Sequence, residues 1–436
     1  MSVDTLRIEK LVFGGHGFAK DGKGVVLIPD AAAGDVVEVE ENGAKGGVRS
    51  GRIVKIVDPS PHRREPPCPY AGECGGCDWL HLYYDEQVRC KKDILIECLT
   101  RIGKFDYPHD VEIFTADEFG YRIRAQIKVD YENGCAGFFR KKTNDVVRVD
   151  SCLLLDERLN GVLAGLNGEI NGLRRHARND VIARRCIELA ELVYLGVSQM
   201  SESTKQSGRI DSIGSDSNIN SCDKTNAVSS IKVLVGDSVA SDPVIDGLTD
   251  AATEINVSGI KFLADGGSFF QSNGFLLERL GRWAKGCLGG GFCLDLYGGI
   301  GFFSLMLADD FEEIILVENV AGQIRAAERN FAVNKKNGLT AVLADVERGG
   351  GLRKIAGGRR PDCVVVDPPR PGLVKAVRKW LTDTAPSRVL YVSCNPSTFA
   401  RDAGALLAGG YKLTKLALFD LYPNTHHTEV AGIFAR

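Results

Sequence analysis

The first 58 residues show short apolar runs that are broken by turns. Four such runs occupy residues 7–12, 24–28, 35–39 and 51–57. Glycine-rich turns separate them, and short strands at this spacing predict a small β-barrel or sandwich. Pro59 and Pro61 follow directly and predict a stiff linker. We therefore place a boundary near residue 58.

The middle of the chain mixes helical and strand periodicity. Residues 84–102 repeat apolar side chains at helical spacing, whereas residues 121–149 alternate as paired strands do. The Asn133-Gly134 step is a strong hairpin signal. Ten serines fall among the 33 residues 198–230, without apolar periodicity. Because such a segment cannot bury enough apolar surface to offset its ordering entropy, we predict an exposed flexible insertion.

From about residue 267 the pattern changes to helices that alternate with strands. Helices are predicted over 273–286 and from about 302, and strands over 292–296, 313–317, 340–344, 362–366, 388–393 and 430–434. This alternation is typical of an open, mostly parallel sheet with helices on both faces. The fold class predicted for this part of the chain is therefore α/β.

Length and composition narrow the class of protein further. A chain of 436 residues with 44% hydrophobic and 25% charged residues corresponds to two or three globular domains. No apolar run approaches the roughly 18 residues of a transmembrane helix, and the N-terminus lacks a secretory pattern. Thirteen cysteines, an odd number, indicate a reducing compartment. We expect a cytoplasmic protein without membrane contact, and the net charge of −3 excludes a uniformly basic surface.

The predicted strand 292–296 runs into a glycine-rich turn over 297–301. Glycines allow a ligand to approach the main chain closely, and open α/β sheets bind ligands at the carboxyl ends of their strands. Glu318 ends the next strand, where a carboxylate can accept hydrogen bonds from a ribose diol. Tyr297 and Glu318 therefore predict a cofactor that contains a nucleoside, and NAD and S-adenosylmethionine both fit.

Two further strand ends and the start of the final strand carry residues suited to chemistry. Asp367 begins an Asp-Pro-Pro-Arg motif, in which two prolines fix the main chain so that the acid projects rigidly. This pattern is typical of methyltransferases that act on planar bases. Cys394 is a candidate nucleophile, and Glu429 is a candidate general base. His426 and His427 are adjacent and lack a third ligand, so no metal site is predicted there.

Three cysteines near the proline-rich linker form a Cys-x5-Cys-x2-Cys pattern. They are Cys68, Cys74 and Cys77. Thiolates at this spacing bind iron–sulfur clusters or zinc. A fourth ligand is required, and the candidates are Cys152, which is the best placed, Cys90 and Cys135.

The hairpin over 121–149 concentrates basic and aromatic side chains. They are Arg122, Arg124, Lys128, Arg140, Lys141 and Lys142, with Tyr121, Tyr131, Phe138 and Phe139 among them. Basic groups neutralise phosphates and aromatic rings stack on bases, so this hairpin is a candidate RNA contact. A solvated strand face explains the residues about equally well, because residues 101–150 balance nine basic against nine acidic side chains.

Together these motifs resemble those of the S-adenosylmethionine-dependent RNA uracil-5-methyltransferases, in the branch that modifies 23S ribosomal RNA. The resemblance runs from the N-terminal β unit, which resembles a TRAM RNA-binding domain, to Glu429, and leaves out only the serine-rich insertion. The four cluster cysteines of the family match Cys68, Cys74, Cys77 and Cys152. The resemblance thus implies a [4Fe-4S] cluster rather than zinc.

The resemblance also implies which residues serve the reaction. Contacts to S-adenosylmethionine fall on Gln271, Tyr297, Glu318, Asp345 and Asp367. Cys394 matches the nucleophile that adds to C6 of uracil, and Glu429, in a His-x-Glu motif with His427, matches the base that removes the C5 proton. Asp367 is expected to hold the edge of the target base as well.

The implied architecture has three parts. A TRAM-like β-barrel takes residues 1–58, a central and mostly β iron–sulfur domain takes 59–83 and 118–266, and a Rossmann-like methyltransferase domain takes 84–117 and 267–436. The partner implied is RNA, and we expect a monomer.

Two positions depart from the family pattern. Gly298 stands where the family usually has cysteine, and Phe302 stands where it has threonine or asparagine, which removes one cofactor hydrogen bond. Transfer RNA is an alternative substrate, and a catalytically decayed RNA-binding protein is an alternative function. A cytosine-5-methyltransferase would require a second cysteine at Pro369, and an amino-group methylase an aromatic residue at Arg370.

Overall fold

The computed structural model describes residues 3–130, 132–176, 228–245, 248–348 and 351–436. These residues form four β-sheets, of which the largest has eight strands. Over these ranges, no helix combines the length and the apolar character that crossing a membrane requires.

The N-terminal unit is a six-stranded sheet. Its strands are β1 (Val3–Arg7), β2 (Lys10–Leu11), β3 (Gly17–Asp21), β4 (Gly24–Ile28), β5 (Val36–Lys45) and β6 (Val48–Asp58), in the spatial order β1-β5-β6-β4-β3-β2. Alternate side chains such as Leu6, Val26 and Val37 fill one core. The strands expected here are present, but the prediction of one strand over 7–12 is wrong. Strand β1 ends at Arg7, and the next strand, β2, begins at Lys10.

A long helix follows the linker. Helix α1 (Tyr84–Cys98) continues as a π-helical turn (Leu99–Gly103), so the predicted helix over 84–102 is confirmed. Lys104, with φ of 62°, ends it in the left-handed conformation. The chain then forms β7 (Glu112–Phe114), which pairs with the edge of the largest sheet.

A second sheet has five strands, which follow β7 in the sequence and precede most strands of the largest sheet. It contains β8 (Arg124–Asp130), β9 (Cys135–Phe139), β10 (Val146–Arg148), β11 (Val228–Val235) and β12 (Val239–Asp242), and helix α2 (Glu157–His176) packs on it. The predicted hairpin is confirmed as the β8–β9 pair, with β10 added as a third strand.

The predicted serine-rich insertion lies mostly outside the described residues. The prediction of flexibility is wrong for its last part, 228–230. These residues begin β11 and pair with Lys128–Asp130 of β8. The apolar residues that follow, Ile231 and Val233, are buried against this sheet. Their burial stabilises a strand that serine content alone disfavours.

The largest sheet carries the α/β alternation that the sequence predicts. Its strands are β15 (Gly290–Leu296), β16 (Phe311–Glu318), β17 (Leu339–Leu343), β18 (Cys363–Val366), β19 (Arg388–Ser393), β20 (Lys412–Phe419) and β21 (Glu429–Ala435), with β7 at one edge. The spatial order is β17-β16-β15-β18-β19-β21-β20-β7. Strands β15 to β19 are parallel, whereas β21 runs antiparallel between β19 and β20.

Helices cover both faces of this sheet. On one face lie α1, α7 (Lys375–Thr384) and α8 (Pro396–Ala408), and on the other lie α3 (Leu277–Lys285), α4 (Phe302–Met306) and α5 (Ala321–Val333), with the short α6 (Leu352–Ile355) after β17. A two-stranded hairpin, β13 (Ala252–Val257) and β14 (Ile260–Asp265), packs on the second face. The predicted helix over 273–286 is shorter, since it begins at Leu277.

The strand order places a switch point at the middle of the sheet. From β15 the chain proceeds outward through β16 and β17, and then returns to β18 on the other side of β15. Ligands of open α/β sheets bind at such a point, beyond the carboxyl ends of the strands. The glycine turn after β15 and the motif that begins with Asp367 after β18 both lie there.

Candidate active site

Three ionisable side chains meet at the ends of three neighbouring strands. Asp367 follows β18, Cys394 follows β19, and Glu429 begins β21. Ser393 of β19 pairs with Val430 of the antiparallel β21, so Cys394 and Glu429 occupy the next register position. This juxtaposition requires β21 to insert beside β19, which local sequence patterns do not specify.

Burial and the charge of a neighbouring carboxylate favour the protonated forms of Glu429 and Asp367. Burial and the charge of Asp367 raise the pKa of Glu429 well above its ordinary value. Burial and then the charge of Asp295 raise the pKa of Asp367 to about 7, although Gln271 Nε2, 3.5 Å from Asp367 Oδ2, opposes the shift. Both carboxyls therefore differ from exposed acids, as functional groups often do.

The thiol of Cys394 is also shifted. Burial raises the pKa of Cys394 to about 11, and the nearby Glu429 and Asp367 add to the shift, whereas Arg370 opposes it. At neutral pH the unliganded thiol is therefore protonated. A positive charge delivered to the cleft would favour the thiolate.

A hydrogen-bonded bridge fixes the loops that follow β18 and β19 relative to each other. Asn395 caps helix α8 by accepting from the main-chain N–H of Ser397 at 3.0 Å. Its Nδ2 also donates to the carbonyl of Arg370 at 3.1 Å. Since Asn395 follows Cys394 directly, this residue holds the nucleophile loop against the Asp-Pro-Pro-Arg segment.

The glycine turn after β15 is packed more tightly than its motif suggests. A Cβ atom at Gly298 would lie 2.4 Å from Cγ of Leu316, so only glycine fits without a shift of that side chain. Phe302 is 8% exposed and packs against Phe262 and Phe270, with ring centroids 5.7 and 5.9 Å away. Both departures from the family pattern are therefore accommodated by apolar packing.

Glu318 supports the same turn from the neighbouring strand. Its carboxylate accepts from the main-chain N–H of Gly299 at 3.2 Å, and from those of Asn319 and Val320 at 2.7 and 3.0 Å. Asp345 lies after β17, is exposed, and accepts from the N–H of Glu347 at 3.0 Å. The main-chain N–H of Ala344 donates to the carbonyl of Glu318 at 2.9 Å, which brings the two predicted residues to one edge.

Three polar atoms around this turn are buried without a hydrogen-bond partner among the described residues. They are Gln271 Oε1, Asp295 Oδ1 and the hydroxyl of Tyr297. The other oxygen of Asp295 accepts from Ser304 Oγ at 2.6 Å, so that side chain is fixed in place. Buried polar atoms normally have partners. This group therefore matches a polar ligand that spans the turn.

The loop before β21 contains residues that the sequence analysis missed. Burial raises the pKa of Tyr422 well above its ordinary value, and the charges of Glu429, Cys394 and Asp367 contribute, so Tyr422 lies near these three residues. A tyrosine at the end of an apolar strand gives no signal of function by itself. The sequence signal for Tyr422 is its position just before Pro423 and the histidine pair.

His427 lies beside Arg370 of the Asp-Pro-Pro-Arg motif. Burial and neighbouring positive charges, including that of Arg370, lower the pKa of His427 to about 4, so the ring is neutral. Its Nε2 is 3.4 Å from Arg370 Nη2. The neutral imidazole therefore lies beside the exposed guanidinium that follows the two prolines.

The cysteines of the predicted metal site line one cavity. The cavity measures about 280 Å³, and Cys68, Cys74, Cys77 and Cys152 all contribute to its wall. Burial raises the pKa of Cys74, Cys77 and Cys152, and the neighbouring thiols add to the shift of each. The competing candidates lie elsewhere, Cys90 within α1 and Cys135 at the start of β9.

The basic hairpin residues are largely engaged with neighbours. Lys128 lies over the ring of Phe139, Arg140 pairs with Glu73, and Lys141 pairs with Asp30. Arg122 lines the cysteine cavity instead of facing outward. Arg140 and Lys141 thus hold the hairpin to neighbouring segments, and RNA contact by this hairpin stays a prediction.

The chain is similar to known proteins along nearly its whole length. A family model described as tRNA (Uracil-5-)-methyltransferase matches residues 83–436. A protein of Aquifex aeolicus named as an uncharacterized RNA methyltransferase is 33% identical, over 97% of this chain and 96% of its own. The 23S rRNA (uracil(1939)-C(5))-methyltransferase RlmD of Shewanella amazonensis is 30% identical, over 99% of this chain and 95% of its own.

A solved structure has the same fold. The tRNA (uracil-54, C5)-methyltransferase of Pyrococcus abyssi, in complex with S-adenosyl-L-homocysteine, superposes with a TM-score of 0.66 over 100% of both chains. Its sequence is 22% identical to this one. The mixed α/β architecture is therefore that of a methyltransferase.

Proposed function

The chain belongs to the tRNA (Uracil-5-)-methyltransferase family, and from this premise we propose that it methylates C5 of a uridine in 23S ribosomal RNA through a covalent Cys394 adduct. The observation that carries the proposal is the position of Cys394 opposite Glu429, beside Asp367, at the switch point of the sheet. A nucleophile and a base on the same strand ends are what C5 methylation requires.

The proposed reaction begins with Cys394. Its thiolate adds to C6 of uracil, which forms an S–C6 bond and turns the ring into an enolate whose C5 is nucleophilic. S-adenosylmethionine, when bound, would supply an electrophilic methyl group, and the break of its S–CH3 bond would leave neutral S-adenosylhomocysteine. Asp367 holds the edge of the ring, so that C5 faces the methyl group as the new C–C bond forms.

Glu429 completes the reaction. After methyl transfer C5 still carries its proton. Glu429 must first release to solvent the proton that its raised pKa favours, and its carboxylate then removes the proton from C5. The C5–C6 double bond then forms again, and the S–C6 bond breaks to release the Cys394 thiolate. Because Glu429 is buried at 2% exposure, its charged form is costly and its affinity for the proton is high.

S-adenosylmethionine is the proposed cofactor, and the residues present fit it. Gln271, Tyr297, Glu318, Asp345 and Asp367 would hold it around the glycine turn. The partnerless atoms of Gln271 and Tyr297 would gain hydrogen bonds from its polar groups. Glu318 Oε1 accepts from two main-chain N–H groups, whereas Oε2 accepts from Gly299 and keeps a lone pair for a ribose hydroxyl.

We also propose that Cys68, Cys74, Cys77 and Cys152 bind a [4Fe-4S] cluster. A zinc ion would bring four thiolate sulfurs to within about 3.8 Å of one another, given Zn–S bonds of about 2.3 Å. Within the described ranges, no three of these sulfurs lie within 4.8 Å of each other. Wider spacing around a cavity of about 280 Å³ favours a larger group. Such a cluster would hold its segment in place, and no step above requires electron transfer.

The cluster proposal has a direct test. Protein purified without oxygen should contain iron and acid-labile sulfide, and Cys77→Ser should lose most of both. Cys135→Ser is the matched control, since Cys135 does not line the cavity and should keep them. Zinc in place of iron would contradict the proposal.

The proposed substrate is 23S ribosomal RNA, and transfer RNA is the alternative. The ribosomal substrate is supported by the full-length relative that acts on 23S ribosomal RNA, and we assign RNA contact to the N-terminal sheet as a TRAM-like domain. Purified protein should form 5-methyluridine in a 23S transcript and leave transfer RNA unmodified. Methylation of transfer RNA alone would establish the alternative substrate. If S-adenosylmethionine does not bind at all, the chain is an RNA-binding protein without activity.

A further inference from the structure

His426 has a partner from a distant part of the chain. Its ring Nδ1 lies 2.6 Å from Oδ2 of Asp78, and its main-chain N–H lies 3.5 Å from the same oxygen. Both side chains are about one quarter exposed, at 22% and 27%. The first histidine of the pair is therefore engaged in a side-chain contact that the reaction above does not use.

The main chain joins the same two segments. The N–H groups of Asp78 and Trp79 both donate to the carbonyl of Asn424 at 3.1 Å. Asn424 is fully buried with φ of 65°, and its amide bonds to Arg64, Gln87 and the carbonyl of Glu118. Since the backbone there is strained for a residue with a side chain, these contacts hold a conformation that would otherwise relax.

A third segment closes this contact from the N-terminal sheet. Gly15 has φ of 82°, and a Cβ atom there would lie 2.9 Å from Cβ of His426. The indole of Trp79 donates to the carbonyl of Gly15 at 3.1 Å. The imidazole of His426 is thus enclosed by Asp78 on one side and by the glycine loop on another.

The held segment leads directly to the proposed base. The ring of His426 lies 4.2 Å from the ring of His427, and Glu429 begins β21 only three residues after His426. With so short a connection, a shift of His426 moves the start of β21. General-base catalysis depends on the position of the base to within about 1 Å.

We propose that Asp78 is a positioning residue for proton removal, which it serves by fixing His426 and thereby the loop that presents Glu429 to C5 of the substrate. The inference rests on the proposed function, in which Glu429 removes the C5 proton. In this proposal, Asp78 has no contact with the substrate or with the reacting atoms. It acts on one step, because Cys394 and the cofactor segment are held by other contacts.

The test compares Asp78→Ala with wild-type protein on RNA that carries hydrogen or deuterium at C5 of uridine. Asp78→Ala should lower kcat by about tenfold to a hundredfold and should change the KM for RNA and the affinity for S-adenosylmethionine less than twofold. Proton removal should become the slow step, so turnover should be severalfold slower with deuterium and the covalent RNA adduct should accumulate.

Two further variants separate positioning from folding. Asp78→Asn keeps an oxygen that can accept from His426, and it should restore most of the lost turnover. His426→Ala removes the same contact from the other side and should reproduce the isotope effect. Asp117→Ala, at an exposed aspartate, is the matched control and should behave as wild type.

The experiments distinguish a failure of the proposed function from a failure of the inference about Asp78. If Glu429→Gln traps no adduct with RNA, the proposed function is wrong and the inference falls with it. If Glu429→Gln traps the adduct but Asp78→Ala and His426→Ala show no isotope effect, the inference alone is overturned. A loss of turnover that appears only as a higher KM for RNA would likewise overturn it and assign Asp78 to RNA contact.

Discussion

Cys394 and Glu429 stand at the same register position of two antiparallel strands, one directly after β19 and the other at the start of β21. The negative charge of Glu429 is one cause of the raised pKa of Cys394. The charge of the base therefore disfavours ionisation of the nucleophile before any ligand binds. This coupling suits a reaction in which one group acts early and the other late.

Replacement of either residue should stop the reaction at a different point. Cys394→Ala should lower turnover by roughly 10⁴-fold or more, because no other group supplies the nucleophile. Glu429→Gln should accumulate a covalent protein–RNA adduct, because the C5 proton cannot leave. Denaturing electrophoresis with labelled RNA measures both. Full activity of the alanine variant would contradict the mechanism.

The cofactor's charge should activate the thiol. Because the pKa of Cys394 is raised to about 11, alkylation by iodoacetamide at pH 8 should be slow and should accelerate as the pH rises. S-adenosylmethionine carries a positive sulfonium, and it should accelerate alkylation by about tenfold, since the thiolate fraction rises tenfold when the pKa of the thiol falls by about one. S-adenosylhomocysteine has nearly the same shape without the charge and is the control. Peptide mass spectrometry should follow Cys394 itself, and equal rates with both ligands would contradict the prediction.

The stability of the protein should depend on pH through Asp367. Folding raises the pKa of Asp367 from 3.8 to about 7, first through burial and second through Asp295. An acid whose pKa is raised on folding stabilises the fold when protonated, so this contribution is complete below about pH 4 and is lost as the pH rises to about 7. Asp367→Asn should therefore raise Tm at pH 8 by on the order of 2 °C, and should have no such effect at pH 4. Asp117→Asn is the control, and a gain that is independent of pH would contradict the assignment.

Gly298 should be essential because of Leu316. Gly298→Ala should destabilise the protein by about 1 to 3 kcal/mol, as overpacking does, and should weaken binding of S-adenosylmethionine. Since the obstructing atom belongs to a side chain, 2.4 Å away, the double variant Gly298→Ala with Leu316→Ala should recover part of the binding. Chemical denaturation and calorimetric titration measure the two effects. Additive losses in the double variant would show that the two side chains do not compete.

A buried ion pair should support the loop before β21. Lys91 Nζ lies 2.6 Å from Asp420 Oδ1, and both side chains are fully buried. The same ammonium donates to the carbonyl of Tyr422 at 3.0 Å. Lys91→Met should cost about 3 to 5 kcal/mol, because it leaves an unpaired buried carboxylate. The double variant Lys91→Met with Asp420→Asn should be more stable than the single one in urea denaturation, and equal stabilities would contradict this account.

Local sequence patterns determined the elements of the α/β part and the ends of its strands. Apolar runs such as 363–366 are buried on both faces of the sheet, so their position in the chain shows where Asp367 must project. The same reasoning predicted that Tyr297, Glu318 and Cys394 lie at strand ends, and these positions are confirmed. Strand propensity, burial and the turn that follows all lie within a few neighbouring residues, so a local pattern is enough to place a strand end.

Tertiary structure alone decided how the strand ends meet and what holds them. Insertion of β21 between β19 and β20 pairs Val430 with Ser393 and so brings Glu429 beside Cys394. Contacts from Asp78, Gln87 and Lys91 fix the loop before β21 across more than 300 residues of chain. Only the tertiary structure shows which candidate joins the other three cysteines: Cys152 lines their cavity, and Cys90 and Cys135 do not. A single sequence contains no local signal for such contacts, because each depends on two segments that approach only when the core between them has packed.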